Sequence, residues 1–162
     1  MRRNFSAVVL SLLLVLLQTT IVNVLTLGYA VPDLLILWIV VLAIRRGQVV
    51  ATLYGFGIGV FLDLISGSDG MLGLSALSKS LAGFVAGYFY HENRIELTLS
   101  SVRLVVVVGS AALLHNAVYF LIFLRGSDVI WWRAVSEHGV PSTLYTTVLS
   151  VIPMAISRRK YQ

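Results

Sequence analysis

Long apolar runs fill most of the chain, and short polar clusters separate them. The first run, 5–27, carries no formal charge. At 1.5 Å per residue it is roughly 34 Å long, enough to cross a hydrocarbon core of about 30 Å. Secretory signals have shorter apolar cores, of about 7–15 residues, followed by a small-residue cleavage site. This run is longer and lacks that site, so it is predicted to be an uncleaved first span. The second run, 32–44, opens on Pro32 and Asp33 and stops at Arg45-Arg46-Gly47. Proline suits a first helical turn, and a carboxylate suits the positive helix N-terminus. This run is only about 20 Å long, so it crosses at a thinned site or packs as a half-helix among its neighbours.

The third run, 49–65, ends in the turn cluster Ser66-Gly67-Ser68-Asp69-Gly70. The fourth, 71–90, is closed by His91-Glu92-Asn93-Arg94, and the fifth covers 104–124. A polar and aromatic loop is expected at 125–139, with Trp131 and Trp132 within it, before a sixth run at 140–156. The pattern predicts an all-α, polytopic membrane protein: a single integral membrane domain over 1–162, with about six transmembrane helices, the second one short.

Composition agrees. Of the 162 residues, 58% are hydrophobic and 12% charged, and the mean hydropathy is +0.92. Soluble domains carry about 25% charged residues, and a small domain cannot hide this much apolar surface from water. Lipid must solvate it. The net charge of +5 does not point to nucleic acid, because the cations flank apolar runs rather than forming a basic stripe interleaved with aromatics. With six crossings, one side receives Arg2, Arg3, Arg45, Arg46, Arg94, Arg103, Arg158, Arg159 and Lys160. The other receives Arg125 and Arg133. The positive-inside bias therefore places both termini in the cytoplasm, with Trp131 and Trp132 at the outer interface. There is no cysteine, which excludes disulfides and thiolate chemistry.

Small residues recur at helical spacing. Gly55, Gly59 and Asp63 share one face of the third run, and Ser75, Lys79, Gly83 and Gly87 share one face of the fourth. Such stripes let helix backbones approach closely in lipid, and the turn between the runs makes them antiparallel neighbours. Asp63 lies roughly 3 Å and Lys79 roughly 12 Å from the outer ends of their helices. Both stripes meet on one seam, so an ion pair or hydrogen bond between Asp63 and Lys79 is expected. A ligand- or partner-contacting role is the alternative, since ionisable groups inside a bilayer are functional candidates. His115 and Asn116 fall midway along the fifth run, with Tyr119, four residues on, and the sixth-run hydroxyls of Thr143, Thr146, Thr147 and Ser150 as hydrogen-bond partners, and interhelical bonding is the expected use. No carboxylate chain accompanies His115 for a proton relay. Ser75 and His115 sit at different depths for a nucleophile and its base, and His91, His115 and His138 lack metal-ligand spacing. No catalytic set, metal site or cofactor is expected.

The segment Gly55-Phe-Gly-Ile-Gly59-Val-Phe-Leu-Asp63-Leu64-Ile65-Ser66-Gly67, continuing to Gly73-Leu-Ser-Ala76-Leu77, resembles the bacterial rod shape-determining protein MreD family. Pro32-Asp33-Leu34-Leu35, with Arg46-Gly47 beyond it, matches as well, and Ser66, Gly67 and Gly73 form the family-type turn. Lys79 departs from the pattern, where a small or apolar residue is expected. The resemblance implies a non-catalytic inner-membrane subunit of the machinery that elongates the lateral cell wall. Its implied partner is MreC, with RodA, the elongation transpeptidase and MreB filaments more distant. The rival class is the six-helix substrate-binding subunit of a vitamin-type uptake transporter. Against it, no pair of interrupted helices occupies corresponding halves of the chain.

Overall fold

A computed structural model describes residues 2–20, 26, 28–66, 72–125 and 130–159, with backbone only at 2–4 and 66. The described residues are all-helical. Helix α1 covers Arg2–Thr20, α2 Leu34–Arg46, α3 Gln48–Ser66 and α4 Leu74–Ala86, which tightens into a 3₁₀ turn at Gly87–Phe89. A 3₁₀ turn at Glu92–Arg94 leads into the short α5, Ile95–Leu99, and α6 runs over Val102–Phe123. The last stretch is α7, Trp131–Ala134, a π-helical turn at Val135–Gly139, then α8, Val140–Leu149, and α9, Val151–Arg159.

Three stretches among the described residues are long and apolar enough to cross a membrane: Gln48–Ile65, Val102–Phe123 and Trp131–Arg159. The described apolar part of α1, Phe5–Thr20, is shorter. The fourth run is also shorter as a helix than its hydropathy suggests, because α4 has 13 residues before the 3₁₀ turn begins. Of the expected turn at Ser66–Gly70, Ser66 is the last residue of α3 and residues 67–70 lie outside the described residues, as does Lys160.

Helix α2 is the hub, and its surroundings explain why it is short. Leu35, Ile36, Ile39, Val40, Ala43 and Ile44 are fully buried, and α1, α3, α4 and α6 all pack on it. A helix apolar all round belongs in a core. This one is wrapped by protein, so its length need not match the bilayer. It starts after Pro32, not on it: Asp33 is the N-cap, in an extended conformation, and its Oδ1 accepts from the Ile36 N–H at 2.9 Å. It ends at Gly47, whose φ of +86° suits only glycine and whose N–H donates to the Ala43 carbonyl at 2.9 Å. Helix α3 begins at once.

Helices α3 and α4 pack backbone against backbone. A Cβ on Gly55 would lie 2.5 Å from the Lys79 carbonyl oxygen, and one on Gly83 would lie 2.7 Å from that of Ala51. At Gly59 and Gly87 it would overlap the backbones of Ala76 and Gln48. No side chain fits between these helices, so glycine at these positions sets their separation.

The expected loop over 125–139 is helical from Trp131 onward. Two prolines shape the C-terminal stretch. Pro141 cannot donate to the Glu137 carbonyl and its ring would crowd it, and the wider π turn at Val135–Gly139 lies at that place. Pro153 has the same relation to Leu149, and the helix breaks between α8 and α9 at Ser150.

Candidate functional site

A polar cleft opens where α1, α3 and α6 finish and α2, α4 and α8 begin. Its volume is about 560 Å³, and Gln18, Asp33, Asp63, Lys79, His115 and Asn116 contribute to its lining. Apolar helices surround it, so each polar group on its floor needs a partner from another helix.

The floor is built around Asp33. One carboxylate oxygen, Oδ1, caps α2. The other, Oδ2, accepts from Lys79 Nζ at 2.6 Å and lies 3.5 Å from His115 Nε2. The Lys79 ammonium is itself 3.5 Å from that imidazole nitrogen. Lys79 is 2% exposed, so its entire stem threads between α2 and α6. The short segment leading into Asp33 is held by side chains on both flanks. Gln18 of α1 donates to the Pro32 carbonyl at 2.9 Å and accepts from the Leu34 N–H at 3.0 Å. Ser142 and Thr146 of α8 accept from the Val31 and Asp33 N–H groups at 3.0 and 2.9 Å. The backbone groups ahead of a helix have no internal partners; here side chains of α1 and α8 supply them.

The expected contact between Asp63 and Lys79 does not form. Asp63 is buried in the last turns of α3, and its carboxylate accepts from the Gly73 N–H at 2.9 Å, from Ser75 N–H at 3.2 Å and from Ala76 N–H at 3.4 Å. Gly73, the N-cap of α4, has no side chain to satisfy these donors, so a neighbouring helix provides the acceptor. A carboxylate is well placed there, beside the positive end of the helix dipole. The seam geometry explains why Lys79 turns elsewhere. Its carbonyl faces Gly55 across the close α3–α4 contact, and its side chain leaves sideways towards α2 and α6.

Asn116 donates to the Gly139 carbonyl at 3.2 Å and to Thr143 Oγ1 at 3.0 Å, which ties α6 to the start of α8. His115 and Tyr119 have ring centroids 6.1 Å apart. Trp131 and Trp132 begin α7 and are largely exposed. Gly73 precedes α4 with φ at +99°, a conformation that other residues adopt only at a cost. Ser66 ends α3, while Gly67 lies outside the described residues.

The two segments that carried the resemblance therefore meet in space: Asp33 from one and Asp63 from the other anchor the N-termini of α2 and α4. The model of the family described as rod shape-determining protein MreD matches residues 1–159. The chain belongs to this family. No curated protein and no solved structure matches it. Membership assigns this MreD family protein a role in rod shape determination, and its apolar helices make it a membrane protein.

Proposed function

We propose that this MreD family member is a non-catalytic scaffold of the cell-wall elongation machinery, seated in the bacterial inner membrane as a single six-crossing domain with both termini cytoplasmic. It holds MreC through that protein's single span, and reaches RodA, the elongation transpeptidase and MreB filaments indirectly. The supporting observation is a groove of about 300 Å³ between α1 and α3, walled by Val8, Leu12, Val15, Leu53 and Phe61. Its floor includes Gly57, the glycine of α3 at which a Cβ would meet nothing within 4 Å. The other glycines of that helix are occupied by α4. Gly57 leaves a notch on the outer flank, and small residues at such places let a second helix approach closely in lipid.

Gly57→Trp fills the notch without touching the packed interior. In the native host this variant should reach the membrane at normal levels, retain less MreC on purification, and yield rounded cells. Normal rods on depletion of the wild-type protein would overturn the cell-shape role; unchanged MreC retention by Gly57→Trp would overturn the seat. The polar cleft favours a second reading, a substrate-binding subunit of an uptake transporter, since its volume falls within the roughly 300–1,000 Å³ of small-molecule sites. A neighbouring gene pair for transport ATPases would support it, and a neighbouring gene for a single-span periplasmic coiled-coil protein would oppose it.

A further inference from the structure

The end of the bundle opposite the polar cleft carries Arg45, Arg46, Arg94, Arg103, Arg158 and Arg159 on the described ends of α2, α5, α6 and α9. Between the turn at Glu92–Arg94, α5 and the first turns of α6 lies a second groove, of about 450 Å³. Phe89, Val102, Val106 and Val107 give it an apolar lining, and Arg94, Arg103 and His91 also border it. Val107 is buried and forms the back wall, while Val102 and Val106 are each 61% exposed. The groove therefore opens sideways onto the flank of the bundle.

Its two cations are unspent. Among the described residues neither the Arg94 nor the Arg103 guanidinium has an ion-pair partner, although Glu92 and Glu96 lie on the same stretch of chain. Arg133, at the other end of the molecule, shows the contrast: Glu137 holds it at 2.7 Å. A guanidinium binds phosphate through paired N–H donors in one plane. Two of them bordering an apolar groove that opens sideways fit a molecule with a phosphate at one end and hydrocarbon at the other.

We infer that this groove is a binding site for an anionic phospholipid of the bilayer, with the phosphate held between Arg94 and Arg103 and an acyl chain lying along Val102 and Val106. The inference uses the membrane placement proposed above only to set this end of the bundle at a leaflet surface. It does not depend on MreC or on cell shape. Basic pockets beside transmembrane helices recognise anionic headgroups by this combination of charge and apolar surface.

Native mass spectrometry of the full chain in neutral detergent tests it. Phosphatidylglycerol and phosphatidylethanolamine of identical acyl chains are added at equal concentration. The wild type should retain phosphatidylglycerol roughly thirtyfold better, from two favourable Arg contacts. The double variant Arg94→Gln/Arg103→Gln, altered only at exposed side chains, should lose that preference. Val106→Trp should lower retention of both lipids by filling the chain path. Arg133→Gln should leave the preference intact, and glycerol phosphate without acyl chains should not compete. Equal retention of the two lipids by the wild type would overturn the site. So would a preference that survives in the Arg94→Gln/Arg103→Gln variant, unchanged retention in Val106→Trp, loss of the preference in Arg133→Gln, or displacement of the lipid by glycerol phosphate.

Discussion

Asp33 and Lys79 lie 46 positions apart in the chain and meet at 2.6 Å, joining the start of α2 to the middle of α4. The same carboxylate caps α2 through its other oxygen, so one side chain fixes both where the hub helix begins and how α4 sits against it. A buried pair of this kind is worth little net energy relative to an apolar replacement, but breaking it leaves one charge stranded.

That asymmetry makes the single and double variants of the pair informative. Lys79→Met strands the Asp33 carboxylate and should cost about 3 kcal/mol, the lower end for a buried pair because Asp33 keeps 20% exposure. Asp33→Asn preserves a good N-cap and should cost a similar amount by stranding the ammonium. The double variant Asp33→Asn/Lys79→Met should recover much of the loss. Thermal unfolding in detergent, with monodispersity checked by size exclusion, reads all three. Simple additivity of the two losses would mean the pair is not coupled.

Asp63 behaves differently because it faces backbone, not Lys79. Asp63→Ala leaves the Gly73, Ser75 and Ala76 N–H groups without their acceptor and should cost about 1–3 kcal/mol. Combining it with Lys79→Met should give the sum of the two losses, since the residues share no contact. A double variant milder than either single change would restore the ion pair that helical spacing suggests.

The α3–α4 hairpin was legible in the chain because Gly55, Gly59, Gly83 and Gly87 repeat at four-residue spacing, and that spacing alone defines a helix face. The direction of the Lys79 side chain was not. At a backbone-to-backbone contact the carbonyl faces the partner helix and the side chain is turned aside, a distinction that residue spacing does not carry. Asp33 was legible as a helix start through Pro32 and its own carboxylate. Its pairing with Lys79 was not, since no local rule links residues 46 positions apart. The helix at Trp131 was hidden by Arg133, Ser136, Glu137 and His138, whose polarity reads as loop.

Glycines of one helix should also respond unequally. Gly59→Ala forces a methyl into the backbone of Ala76 and should destabilise by about 1–3 kcal/mol, as overpacking does in tight interiors. Gly57→Ala, two residues away on the open flank, has nothing within 4 Å to displace and, because alanine is the better helix former, should hold or raise the unfolding temperature. Equal destabilisation at both positions would mean that glycine serves the helix itself and not the α3–α4 contact.

The link between α6 and α8 rests on Asn116, whose amide reaches both the Gly139 carbonyl and Thr143 Oγ1. Gly139 ends the π turn and is the N-cap of α8, so the Asn116 amide reaches the point where the two helical segments join. Asn116→Leu keeps the volume but removes both donors, and should cost about 1 kcal/mol, in the range of single interhelical hydrogen bonds measured in membranes. Thr143→Val removes only one acceptor and leaves the Gly139 bond, so its cost should be smaller. In the double variant the Thr143 change should add almost nothing to the loss already caused by Asn116→Leu, because its partner amide is gone. A double-mutant cycle on unfolding temperature measures that coupling, and full additivity would show that the two side chains act on separate contacts.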